Sequence, residues 1–164
     1  MSGVSVTWGT FRMVAPVPED LVGMPAEGQG EWAVWHGITC APAGERHMVV
    51  LVSIAVTAFH PTVPADKELA VRLRGRHPGD DARIDEFTTS CGNLGMSVRR
   101  VVTQPVNGRD VTTGQAQALV AYPAAGALGV VSAVALDPGD LDRAADLVTG
   151  IAAGMTVTGA PAAA

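Results

Sequence analysis

A chain of 164 residues with 48% hydrophobic and 16% charged residues has the length and apolar content of one domain with a real core, and it needs neither disulfide nor metal to fold. Its net charge of −5 argues against nucleic-acid binding, which rests on clustered Lys and Arg against phosphates. The one basic cluster, Arg72, Arg74, Arg76 and His77, runs directly into Asp80 and Asp81 and reads as a self-neutralised surface.

Aromatic residues make up only 4% of the chain, so the core must be built from Val, Leu, Ile, Ala and Met. The first eight residues lack the basic start and apolar run of a signal peptide. The longest apolar run, Met48 to Phe59, is interrupted by Ser53 and Thr57 and falls short of the roughly 20 residues of a membrane helix. Cytoplasm is the expected location, with Cys40 and Cys91 as free thiols.

Val4 to Val14 alternates well enough to predict a first strand, and the Pro- and Gly-rich stretch 15–30 predicts a loop. Glu31 to Cys40 predicts a second strand, with Trp32, Val34, His36 and Ile38 on one face and Ala33, Trp35 and Gly37 on the other. Met48 to Phe59 is apolar on both faces and predicts a central strand covered on both sides.

After His60-Pro61, the spacing of Leu69, Ala70 and Leu73 behind Asp66 and Glu68 predicts a helix over 65–75. Asp81 to Thr89 is ambiguous between helix and strand. Met96 to Val102, Val111 to Tyr122 and Leu128 to Leu136 predict an antiparallel meander, turned at Asn107-Gly108 and at 123–126.

The last helix, 138–153, has Asp137 as N-cap, Pro138 at its first position and an apolar stripe of Leu141, Ala144, Ala145, Val148, Ile151 and Ala152. Gly154 is placed as its C-cap. Residues 155–158 add an edge strand, and 159–164 form a frayed tail. The expected fold is thus a single α+β domain over 1–158. An antiparallel sheet of about six to eight strands packs with two main helices, 65–75 and 138–153.

No Walker loop or dinucleotide fingerprint is present, and no cofactor is expected. His36 and Cys40, four apart on a strand, are the candidate metal ligands, with His47 and His60 nearby. The competing reading is strand-end histidines and a buried small hydrophobe. Cys91 is the one candidate nucleophile, provided that Arg99 or Arg100 folds back to lower its pKa. The acids Asp80, Asp81, Asp85 and Glu86 read either as a general acid/base pair or as an Arg-balanced surface. Trp32 and Trp35 have opposite parity on one strand, so both cannot point inward unless both faces of the sheet are covered: either one of them lines a groove or they serve ordinary core and sheet-edge packing.

The order strand, strand, strand, helix, meander, helix resembles the PsbP/Mog-type α/β sandwich proteins over roughly residues 45–158. The resemblance lies in Val98-Arg99-Arg100, the strand Thr113 to Pro123, the strand Leu128 to Ser132 and the closing helix Asp137-Pro138-Gly139-Asp140-Leu141 to Ile151. It implies a mostly non-enzymatic group of assembly factors and chaperone-like adaptors, and it transfers no binding residue.

The leading expectation is therefore a protein-binding module: an adaptor or chaperone linked to a secretion system, or an immunity protein. Its surface would be formed by Trp32, Trp35 and a rim of Arg72, Arg74 and Arg76. A small-ligand enzyme or binding protein using Cys91 or His36, and a homo-oligomer joined through sheet edges, are the alternatives. An exposed apolar patch of several hundred Å² favours the first. A closed pocket with convergent polar groups favours the second.

Overall fold

The computed structural model describes residues 2–8, 11–23, 33–43, 46–60, 62–76 and 82–159. Two sheets carry the fold. A three-stranded sheet has the order β1 (Ser2–Trp8), β2 (Phe11–Val17), β10 (Thr156–Gly159). The seven-stranded sheet runs β3 (Leu21–Gly23), β4 (Ala33–Ala43), β5 (Arg46–Ala58), β9 (Ala127–Ala135), β8 (Arg109–Tyr122), β7 (Leu94–Val106), β6 (Arg83–Thr88). Every pairing in both sheets is antiparallel. The helices are α1 (Ala65–Arg76) and α2 (Leu141–Gly154), the latter entered through a 3-10 turn at Pro138–Asp140. This is the expected α+β architecture.

The N-terminal third departs from expectation. The single strand over 4–14 is a hairpin, with Trp8 paired to Phe11 and Ser2 to Val17. The loop expected over 15–30 holds the end of β2 and all of β3. Pro16 is tolerated because β10 reaches only to Val14, so one side of β2 is an edge there. A turn with Leu21 N–H donating to Pro18 C=O at 3.1 Å then sends the chain into β3. The ambiguous segment around residue 84 is a strand, β6, and it extends the meander by one.

One face of the large sheet packs on α2 and the small sheet. There Val50, Val52, Ile54, Ala118, Val120 and Val131 meet Val148, Ile151, Met155 and, from the small sheet, Met13 and Val17. Each fully buried Val or Ile contributes about 1.5–3 kcal/mol of transfer free energy. The stripe on α2 buries Ala144, Ala145, Val148, Ile151 and Ala152. Asp137 accepts from the Gly139 N–H at 2.8 Å, which caps the entry turn. Asp140, in the same turn, is buried.

Gly154 is not a left-handed cap. It is the last helical residue, Met155 after it is extended at φ −73°, and Gly154 is absent from the positive-φ glycines. A Cβ there would lie 2.5 Å from Pro16 Cγ, so the residue is small because β2 crosses it.

The other face is covered by α1, whose Leu69 and Leu73 pack on Phe59, Met96, Val98, Leu119, Leu128 and Val130. Its strand contacts fall on β7 and β8. β5 is therefore covered on one face and only partly on the second, not on both as its sequence suggested: Leu51 is 37% exposed.

Candidate functional site

The half of this second face that α1 leaves uncovered is the most distinctive surface among the described residues. Residues directly opposite in antiparallel strands share a face, so the registers assemble its rows. His36, Ser53, Ser132 and Gln117 form one row across β4, β5, β9 and β8. Ile38, Leu51, Val134 and Gln115 form the next. Cys40 and Val49 follow. The polar row is tied internally by Gln117 Nε2 donating to Ser132 Oγ at 2.8 Å. The Nε2 of His36 is shielded from solvent without a hydrogen-bond partner, and burial lowers its pKa below the usual imidazole value. The ring is therefore held neutral at physiological pH.

Below these rows the strands become unequal. β9 stops pairing at Ala135, opposite Val50 and Gly114. β5 extends back to Arg46 and β8 back to Arg109. The β4–β5 and β7–β8 hairpins therefore stand as two prongs on either side of the end of β9. Leu136 N–H donates to Val49 C=O at 3.1 Å as the last rung between them. At the end of β9 a notch of 360 Å³ is lined by His47 and Val49 of β5 and by Leu136, Asp137 and Pro138, on the β5 side of the gap. Leu136, at 52%, is one of the most exposed large apolar side chains.

Beyond Arg99 and Gly114, where β6 and β9 end, β7 and β8 pair only with each other among the described residues. Their turn, Asn107 (φ 50°) and Gly108 (φ 78°), is the type I′ reversal expected of Asn-Gly. Val101, Val106 and Val111 are exposed along them.

The residues singled out from sequence are dispersed. Trp32, His77, Asp80 and Asp81 lie outside the described residues. Trp35 faces the α2 side, where its ring lies over Gly37 and Gly23 and packs on the main core. Arg72, Arg74 and Arg76 belong to α1, which packs on the opposite face of the sheet. Arg72 stacks 5.0 Å from the centre of the Phe59 ring and pairs with Glu68 at 3.1 Å, while Arg74 and Arg76 are exposed. Trp35 and the arginine rim thus do not form one surface.

His36 and Cys40 do share a face, but four residues of strand separate them by about 13 Å. No group of three metal-binding side chains occurs among the described residues. Cys91 is exposed in the turn between β6 and β7. Arg99, five residues along β7 from Leu94, is held by Asp142 at 2.8 Å and Asp85 at 3.7 Å. Arg100 has the opposite parity on that strand. Neither is brought to the thiol by the turn. Asp85 joins Arg83 and Arg99 in a surface ion-pair network. The Tyr122 hydroxyl donates to the Met155 carbonyl at 3.1 Å, and burial, then the neighbouring Cys91, raise its pKa.

The open rows and the notch were not foreseen. Their one sequence signal is length: the apolar run ending at Tyr122 is longer than its partner ending at Leu136, so an overhang had to exist.

No family model matches the chain. No curated protein matches it in sequence. In three dimensions it is similar to LpqN of Mycobacterium tuberculosis, a protein involved in cell envelope biogenesis, with a TM-score of 0.57, 17% identity, and coverage of 96% of this chain and 91% of that one. At that identity the likeness establishes a shared fold.

Proposed function

We propose that the chain is a non-enzymatic binding module that receives a partner protein on the open half of its large sheet. The carrying observation is the apolar pair Leu51 and Leu136, 37% and 52% exposed, beside an ordered polar row. The uncovered rows alternate polar and apolar residues and expose Leu51 and Leu136, and apolar anchors set within a polar rim are the make-up of a protein-binding surface. The dispersal of His36, Cys40 and Cys91 supports binding over nucleophilic chemistry, which needs nucleophile and base in contact. The fold shared with LpqN supports an envelope-directed role, as an adaptor acting from the cytoplasm on envelope machinery.

The test is affinity capture from the native host with the wild-type chain, a Leu51→Asp/Leu136→Asp variant and a Val71→Asp control on the exposed side of α1. Captured partners are then purified and titrated calorimetrically. One stoichiometric protein should bind wild type and the control and lose roughly 100-fold in affinity for the double variant, as central apolar anchors do. Equal binding by all three chains removes this face from the reading. A wild-type dimer that the two aspartates dissolve would make a second copy the occupant instead.

A further inference from the structure

We infer that the partner meets the open face with an acidic protein surface, apolar at its centre and rimmed by aspartate and glutamate. This rests on the binding reading above and names the chemistry of its partner. Among the described residues, five of the nine exposed large apolar side chains, Val22, Leu51, Val106, Val111 and Leu136, lie on this one side of the large sheet. Val22 stands opposite Ile38, so the apolar row of Ile38, Leu51 and Val134 continues to the sheet edge at β3. Val106 and Val111 carry the same track down β7 and β8. Apolar surface gathered on one side in this way marks an interaction site.

Charge decides what covers it. The chain has 16 acidic residues against 11 basic ones. Yet among the described residues the strands place no aspartate or glutamate on the open rows, nor on the same side of β7 and β8 beyond them. They place Arg100 at the end of the Leu51 row and the exposed Arg109 opposite Val106. Asp137, which borders the face at the notch, has its carboxylate on the Gly139 N–H as the cap of the α2 entry turn. A cationic partner is drawn to the acidic remainder of the chain, whereas an acidic one is steered here. On the same side, His36 Nε2 and Thr113 Oγ1 are shielded without hydrogen-bond partners, and Thr113 is only 7% exposed. Buried polar atoms are normally satisfied. That favours a protein, which brings donors and acceptors of its own, over the acyl chains of a membrane.

The test uses the full chain and two defined probes, acetylated and amidated peptides of equal length. Both carry Leu at every third or fourth position, with Glu and Gln elsewhere in one and Lys and Gln in the other. Amide chemical shifts at low salt follow the binding. The Glu peptide should shift Ile38, Leu51, Val111 and Val134 and bind roughly tenfold more tightly than the Lys peptide, an advantage that salt screens away. Arg109→Glu, at an exposed position beside the turn, should weaken the Glu peptide roughly threefold, the size of one exposed charge pair. Leu136→Lys should hold the Glu peptide more tightly than Leu136→Asp, although both remove the same apolar anchor. Equal binding of the two peptides, tighter binding of the Lys peptide, or no shift with either overturns the acidic preference. In that case a loss of partner capture by Leu51→Asp/Leu136→Asp would leave the open-face reading standing, so the two failures are distinguishable. Phosphatidylglycerol vesicles that shift these amides where the Glu peptide does not would make a membrane the occupant, and would also overturn it.

Discussion

Replacing Gly154 with Ala tests how the small sheet is docked on α2. The new Cβ would lie 2.5 Å from Pro16 Cγ and 3.3 Å from Pro16 Cδ, about 1 Å inside ordinary carbon–carbon contact. The proline ring has no rotamer that clears the site, and its backbone is held in β2 by pairing with Gly3. Overpacking of this kind costs about 1–3 kcal/mol. Ala gains up to about 1 kcal/mol over Gly in helix propensity, and less at the final residue. The net expectation is a loss of about 1–2 kcal/mol in urea unfolding, or roughly 3–6 °C in Tm for a chain of this size. Pro16→Ala removes the obstructing atoms. In that background Gly154→Ala should be neutral or slightly stabilising, with a coupling of about 1 kcal/mol or more in the double-mutant cycle. An equal cost in both backgrounds would refute the packing account and return Gly154 to a backbone role.

Leu119→Ala, at a fully buried position beneath α1, should cost about 2–5 kcal/mol. Leu136→Ala, already half in water, should cost about 1 kcal/mol or less, as read by the same unfolding assay. Tyr122→Phe removes the buried bond to the Met155 carbonyl and should cost about 1–2 kcal/mol; a silent substitution would mean the bond is not formed. The lowered pKa of His36 means the unfolded chain binds a proton more readily than the folded one. Its contribution to stability is therefore full above about pH 6.5 and is lost as pH falls through the folded value. Unfolding from pH 7.5 downward should show a smaller acid-side loss in His36→Gln than in wild type, and parallel curves would contradict the shielded ring.

The second half of the chain was legible because its signals agree. Asn107-Gly108 fixes one turn, residues 123–126 another, and Asp137-Pro138 with its stripe fixes α2, so local chemistry and periodicity point the same way. The first third was not. The phase of alternation breaks between Trp8 and Phe11, which marked a hairpin, and the density of proline masked β3 because edge positions tolerate proline where central ones do not. The candidate site was barely legible. Parity on β4 placed His36 and Cys40 on one face, but which face each helix covers depends on where α1 docks, and that is set by Leu69 and Leu73 meeting β7 and β8 at long range. Trp35 stood out by rarity, yet it serves as a cover for Gly37 and Gly23.

Hydroxyl-radical footprinting of the purified chain, repeated with its captured partner bound, tests most directly whether the face beside α1 is open and is the surface that binds. Leu51, Val134 and Leu136 should be oxidised in the free protein, Leu119 and Leu128 on the same face should stay protected beneath α1, and the partner should protect the first three. Protection of Leu51 and Leu136 in the free monomer, or their continued oxidation in the complex, would contradict the account.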